Sequence, residues 1–198
     1  MGKEDKGIRS KWYVVQVATG SEDRMCEVIQ HACEKFDEDV EDKSEQIGLA
    51  ECFNPKFESR KKRMGVWHDV ERTLLPGYVV ANAKNPEKLA IALSRIEDFG
   101  RLLANDETYS PLDDAEREWL EGYTEENRRI IPLSYGFMAG GKFVIKRGPL
   151  EGREAMVTKL DRKNCLAHIE LHVGQMTFKR TLGLVILPSG DMQLVDDE

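Results

Sequence analysis

The chain has 198 residues, 40% of them hydrophobic, and a formal net charge of −7. That length allows one or two domains with real cores, and the acidic balance excludes a protein that coats nucleic acid by bulk positive charge. No apolar stretch reaches the roughly 20 residues of a membrane span, and the polar start MGKEDKGIRSK lacks the apolar segment of a secretory leader, so a cytoplasmic location is expected.

Residues 1–10 are expected to form a disordered tail. KWYVVQV (Lys11 to Val17) is short, β-branched and aromatic, the composition of a buried strand. A turn follows at Thr19-Gly20, and Thr19 with Glu22 three residues on fits a capping box. Met25, Val28, Ile29, Ala32, Cys33 and Phe36 then recur at helical spacing and predict an amphipathic helix. ECFNPKFESRKKR and VWHDVERTLLPGYVVANA read as extended segments, with a turn at Met64-Gly65. Pro76 interrupts the apolar run of the second segment; without an N–H it implies an edge, a bulge or the start of a strand. Next, Asn85 caps a helix with Pro86 at its first position and Leu89, Ala92, Leu93 and Ile96 on one face. A third helix opens near Asp113, where Glu116 completes a second capping box and Trp119 and Leu120 supply apolar contacts.

From Gly122 to Gly141 no period is visible, and the Pro and Gly residues there suit a linker. Beyond it the pattern changes. KFVIKR, EAMVTKL, CLAHIEL, MTFKRTL and LVIL are five short runs separated by turn-rich segments, the spacing of a small all-β barrel. In the third run Cys165, Ala167, Ile169 and Leu171 share one face, and Leu166, His168, Glu170 and His172 the other.

Charge is uneven along the chain. Met1 to Thr124 holds 18 Lys or Arg against 26 Asp or Glu, a balance of −8, whereas the remainder holds 11 against 10. Within the acidic part, KFESRKKR (Lys56 to Arg63) carries five basic residues against one acid. Such a segment is either a solvated hairpin or an arm that holds a phosphate backbone while the acidic body discourages others. Trp67 and His68 beside it either stack on a base or pack against the hairpin itself.

A search for catalytic chemistry finds none. The four histidines lack the HExxH spacing, and neither a nucleophile elbow nor a P-loop is present. Cys26, Cys33, Cys52 and Cys165 show no paired metal-ligand spacing and read as buried thiols. The chain is therefore expected to be a binding protein, not an enzyme, with no cofactor and no metal.

KWYVVQVATG followed by an amphipathic helix, then RTLLPGYVVAN, then KRGPLEGREAMVTKLDRK opening a C-terminal β region, resembles the NusG family of transcription elongation factors from Lys11 to Leu187. The resemblance implies an α+β N-terminal (NGN) domain, an antiparallel sheet flanked by helices, over residues 11–123, a linker over 124–136, and a small SH3-like KOW barrel over 137–198. It implies that Trp12, Leu74, Leu75, Pro76, Gly77 and Tyr78 line an apolar depression receiving the clamp helices of the RNA polymerase β′ subunit. It marks Gly148, Pro149, Leu150 and Gly152 as the KOW motif. It also implies a role for the basic segment, in which Lys56, Arg60, Lys61, Lys62, Arg63, Trp67, His68 and Arg72 would meet leader RNA or non-template DNA at the upstream fork.

Departures from the general factor are informative. Leu75 and Arg153 stand where a phenylalanine is usual, His172 and Val173 where an apolar pair is usual, and Ala155 where a glycine is usual. Those barrel positions grip a ribosomal protein or the terminator Rho in the general factor, and an arginine and a histidine weaken that grip. The EGREA pattern is more similar to specialised paralogues such as LoaP and RfaH, which implies antitermination at particular operons. The runner-up readings are a general NusG coupling polymerase to ribosome or Rho, and an RNA-binding KOW protein without polymerase affinity.

Overall fold

A computed structural model describes residues 9–96, 101–102, 104–105, 108–109, 111–124, 129–173 and 176–188. Most of the expected tail over residues 1–10, and the end of the expected barrel domain beyond residue 188, lie outside the described residues. In chain order the elements are β1 (Lys11–Gln16), α1 (Glu22–Glu38), β2 (Glu51–Phe53), β3 (Lys56–Arg63), β4 (Val66–Thr73), β5 (Tyr78–Ala83), α2 (Pro86–Leu93), the short β6 (Arg101–Leu102), β7 (Ala104–Asn105) and β8 (Thr108–Tyr109), and α3 (Asp114–Gly122). Then come β9 (Ile130–Ile131), β10 (Ser134–Ala139), β11 (Lys142–Arg147), a 3₁₀ turn (Glu154–Met156), β12 (Val157–Asp161), β13 (Leu166–Val173) and β14 (Met176–Leu187).

These elements fall into two compact units: the described residues of Met1–Asn54 with Pro76–Asp113, and those of Pro55–Leu75 with Asp114–Glu198. In the first unit an antiparallel sheet has the order β2-β5-β1-β6. Strand alternation sends Tyr13, Val15, Cys52, Val79, Ala81 and Ala83 to one face, where they pack with Met25, Ile29 and Cys33 of α1 and Leu89, Ala92 and Leu93 of α2. The predicted stripe of α1 is realised with Met25, Ile29 and Cys33 buried and Val28, Ala32 and Phe36 half-buried. Asp37 fixes the loop after α1, its carboxylate accepting the N–H groups of Ile47 at 2.6 Å and Gly48 at 3.0 Å. At α2 the expected cap is present: Asn85 Oδ1 accepts the Lys88 N–H at 3.2 Å, and Pro86 fills the first position.

At α1 the expected capping box is not formed. Ser21, not Thr19, occupies the cap position without a side-chain bond, and the Glu22 carboxylate accepts from Gly20 and Gly77 instead. The carboxylate is shared among the Gly20 N–H, its own N–H and the distant Gly77 N–H, so it braces the Pro-Gly turn instead of reaching back to a cap at Thr19.

The second unit joins the β3–β4 hairpin to the C-terminal strands. β3 pairs in parallel with β9, giving the order β4-β3-β9, and five further strands follow the order β11-β10-β14-β13-β12. The period-free stretch from Gly122 to Gly141 thus carries β9 and all of β10, because strands of two and six residues separated by Pro132 and Leu133 are too short to show a period. The two runs separated by Gly183 are one strand, β14. Gly183 lies under the hairpin base, where a Cβ would stand 2.1 Å from the Glu58 carbonyl oxygen and 2.4 Å from Leu133 Cδ2. Cys165, Ala167, Ile169 and Leu171 are buried, as their shared face predicts.

Candidate functional site

The Pro-Gly turn resolves the oddity of Pro76. β5 begins at Tyr78, so the missing N–H of Pro76 falls outside the ladder and costs no strand bond. Gly77 adopts φ +84, a conformation a side chain disfavours. Its N–H donates to Glu22 Oε1 at 2.8 Å, the Gly20 N–H donates to Oε2 at 2.9 Å, and the Gly77 carbonyl accepts the Val17 N–H at 2.8 Å. Burial pushes the Glu22 carboxyl up, but the N–H groups of Gly77, Gly20 and Glu22 itself together outweigh it and hold the group below its ordinary value. Glu22 is legible in the sequence only as a helix-start residue, and nothing local marks it as the clamp of this turn.

Trp12 and Tyr78 lie on the sheet face turned away from α1 and α2. Register pairs Trp12 with Asn82 and Gln16 with Tyr78, so the two aromatics sit at opposite ends of a strip, about 13 Å apart at the usual strand rise. Val14 and Val80, paired with each other, fill the middle, and Phe53 meets the Trp12 ring edge-to-face at 5.2 Å between centroids. Sequence reasoning missed Val14, Phe53 and Val80, although the alternation from Trp12 along β1 points to the first of them. Trp12 is 2% exposed and Tyr78 half-buried, while Pro76 is exposed. In the second unit Leu74 and Leu75 are also buried, and the Leu74 N–H donates to the Pro55 carbonyl at 2.7 Å.

The basic segment forms the expected hairpin. Met64 and Gly65, at φ 49 and +83, make a two-residue turn of type I′ geometry. Lys61, Lys62, Arg63, Trp67, His68 and Arg72 are exposed, and Lys56 and Arg60 half-buried. Arg60 Nε pairs with Asp69 Oδ1 at 2.8 Å. Lys62 Nζ lies 5.8 Å from the centre of the Trp67 ring, which is 41% exposed. One ring face of Trp67 is thus occupied by its own hairpin, which favours packing over base stacking for this residue.

The GPLEG loop is structural as well as recognisable. Gly148 has φ +100, and a Cβ there would stand 2.6 Å from the Leu133 carbonyl oxygen. Leu150 is fully buried, its N–H reaching Ser134 Oγ at 3.2 Å, and the Trp119 indole reaches the Pro149 carbonyl at 3.5 Å. Gly152 has φ +69 with open space around it. Cys33, Cys52 and Cys165 are buried and Cys26 half-buried, all four free. Burial raises the Cys33 thiol to about 12, and a hydrogen bond with Cys26 plus burial holds Cys52 well above its ordinary value, so neither offers a reactive thiolate. Among the described residues no cluster of His, Cys, Asp and Glu is arranged to hold a metal ion, and no helix is long and apolar enough to cross a membrane.

Residues 10–121 match the family model described as transcription termination factor nusG. The chain belongs to the NusG family. A comparison with curated proteins finds no match. Among solved structures, one described as domain interaction in Thermotoga maritima NusG is 17% identical, covers 89% of this chain and 95% of that chain, and has a TM-score of 0.51. At that identity the likeness speaks for the fold. The first part of the chain is a NusG-like α+β domain, and the strand-rich C-terminal part is consistent with a KOW barrel. NusG-family proteins are transcription factors that bind RNA polymerase, not enzymes.

Proposed function

We infer that this NusG-family chain acts in the cytoplasm as an elongation and antitermination factor of the specialised LoaP or RfaH type, docking on the clamp helices of the polymerase β′ subunit. The observation that carries this reading is the sheet face turned away from α1 and α2, on which Trp12, Val14, Phe53, Val80 and Tyr78 form a continuous apolar strip ending at the Glu22-clamped turn. The helices of its own domain pack on the opposite face, and helix tips dock by inserting apolar anchors into such a strip. Leu74 and Leu75, next to the turn in the chain, complete the contact set. Because Trp12, Val14, Phe53, Val80, Leu74 and Leu75 are buried in this structure, docking requires that they be uncovered, and the observed affinity is reduced by the fraction of molecules in which they are not.

Residues 11–123 act as the polymerase-binding domain and residues 137–198 as the KOW barrel. The barrel contacts a second partner at the raised effective concentration that tethering gives. Bridging the polymerase stabilises its closed, unpaused state only by the difference in affinity for closed and open forms. The hairpin residues Lys56 to Arg72 contact leader RNA or non-template DNA.

Co-purification with core RNA polymerase tests the reading. Tyr78→Ala, alone and with Leu75→Ala, is expected to abolish co-purification while circular dichroism shows an intact fold. Undiminished binding by the folded double variant removes this face from the polymerase contact.

A further inference from the structure

Resting on the reading that the hairpin contacts nucleic acid, we propose that it meets the phosphodiester backbone with one face only, the face of Lys61, Arg63 and Arg72. Directly opposite residues of an antiparallel pair share a face. Register therefore places Phe57, Ser59, Lys61 and Arg63 with Arg72, Val70, His68 and Val66, and places Lys56, Glu58, Arg60 and Lys62 with Thr73, Glu71, Asp69 and Trp67. The first face holds three cations and His68 with no acid. The second holds three cations against three acids and is neutral in sum.

Local chemistry sharpens the asymmetry. On the neutral face Arg60 is engaged by Asp69 at 2.8 Å, Lys62 rests over Trp67, and Glu58 accepts the Leu133 N–H at 3.2 Å. On the cationic face Lys61, Arg63 and Arg72 are exposed and make no ion pair among the described residues. An exposed cation without a partner keeps its counterions until a phosphate displaces them, and that release is the driving term of backbone binding. A cation already paired contributes little, since its anion must first be given up. The base of the cationic face is fixed, with Phe57 and Ser59 buried and Gly183 tight against the Glu58 carbonyl, so the strand presents its charges without a large ordering cost. Val66, 59% exposed on the same face, adds an apolar contact for sugar or base.

The test compares two variants that remove equal charge from the hairpin tip: Lys61→Gln with Arg63→Gln, and Arg60→Gln with Lys62→Gln. Fluorescence anisotropy of the full chain measures binding to a labelled single-stranded DNA 20-mer and to a labelled RNA stem-loop across a salt series, and the two arms separate DNA from RNA as the source of the phosphates. The first variant is expected to weaken binding about tenfold and to lower the salt slope by about 1.4, two contacts at roughly 0.7 each on a single strand. The second is expected to change affinity less than about threefold and to leave the slope unaltered. Equal losses from both variants overturn the one-face assignment while nucleic-acid binding stands. A wild-type chain that binds neither probe overturns the hairpin reading itself, and the proposal with it.

Discussion

Two tight turns in this chain share a backbone conformation and differ in everything around it. Gly77 and Gly65 have φ +84 and +83. A Cβ on Gly77 would meet Thr19 Oγ1 at 3.0 Å and Val17 O at 3.6 Å, whereas one on Gly65 would meet nothing within 4 Å. Gly77 also holds two tertiary hydrogen bonds, one to a buried carboxylate; the Met64-Gly65 turn stands in solvent with Met64 104% exposed. One turn is a joint of the core and the other a presented tip. The same residue grammar serves both, and only the surroundings tell them apart.

The largest expected effect tests whether the hairpin is anchored at its base while free at its tip. Gly183→Ala places a methyl at 2.1 Å from the Glu58 carbonyl oxygen, a separation no relaxation of one side chain relieves. A loss of about 3 kcal/mol is expected in urea unfolding, from backbone displacement. A loss below about 1 kcal/mol means that β3 is not held against β14.

Next comes the clamp of the buried turn. Glu22→Gln turns one acceptor oxygen into a donor facing an N–H, with an expected loss of about 2 kcal/mol at neutral pH. The pH dependence has a definite sign. The folded carboxyl titrates below its ordinary value of 4.5, so its contribution is fully present above that value and is lost as pH falls through the folded pKa. The gap between wild type and Glu22→Gln is therefore expected to narrow below about pH 4. A pH-independent gap means the carboxylate charge plays no part.

The two glycines then measure the comparison directly. Gly65→Ala is expected to cost about 1 kcal/mol, the penalty of a left-handed backbone alone. Gly77→Ala carries the same penalty plus the Thr19 contact, about 2 kcal/mol in all. Their difference, read in parallel thermal melts, isolates the contact, and equal losses erase the distinction between joint and tip.

What the sequence makes legible follows the range of the forces involved. Asn85, Pro86 and the α1 stripe act within one or two turns of helix, and each is where local chemistry puts it. The Met64-Gly65 turn is equally local. Glu22 defeats a local reading because its decisive partner, Gly77, is 55 residues away, and a capping motif is silent about such competition. β9 and β10 leave no mark in the sequence because short strands gain order from the strands they pair with, β3 for β9 and both β11 and β14 for β10, not from their own pattern. Among the candidate site residues, charge density marks the hairpin, but the split into a paired and an unpaired face needs the register. Trp12 and Tyr78 share a face, as alternation allows, yet their separation along β1 emerges only from the pairing with β5.

The smallest expected effect has the opposite sign to the rest. A type I′ turn wants Asn-Gly, since asparagine tolerates a left-handed backbone better than an unbranched apolar side chain does. Met64 occupies that position at φ 49 with its side chain wholly in solvent, so it gives the fold nothing in return for the strain. Met64→Asn is therefore expected to stabilise the chain by about 0.5 kcal/mol in urea unfolding. If the variant is instead destabilised, the methionine packs on the hairpin and the tip belongs to the fold. If it is stabilised and nucleic-acid binding falls, the methionine is a contact residue, held at the tip against the preference of the turn.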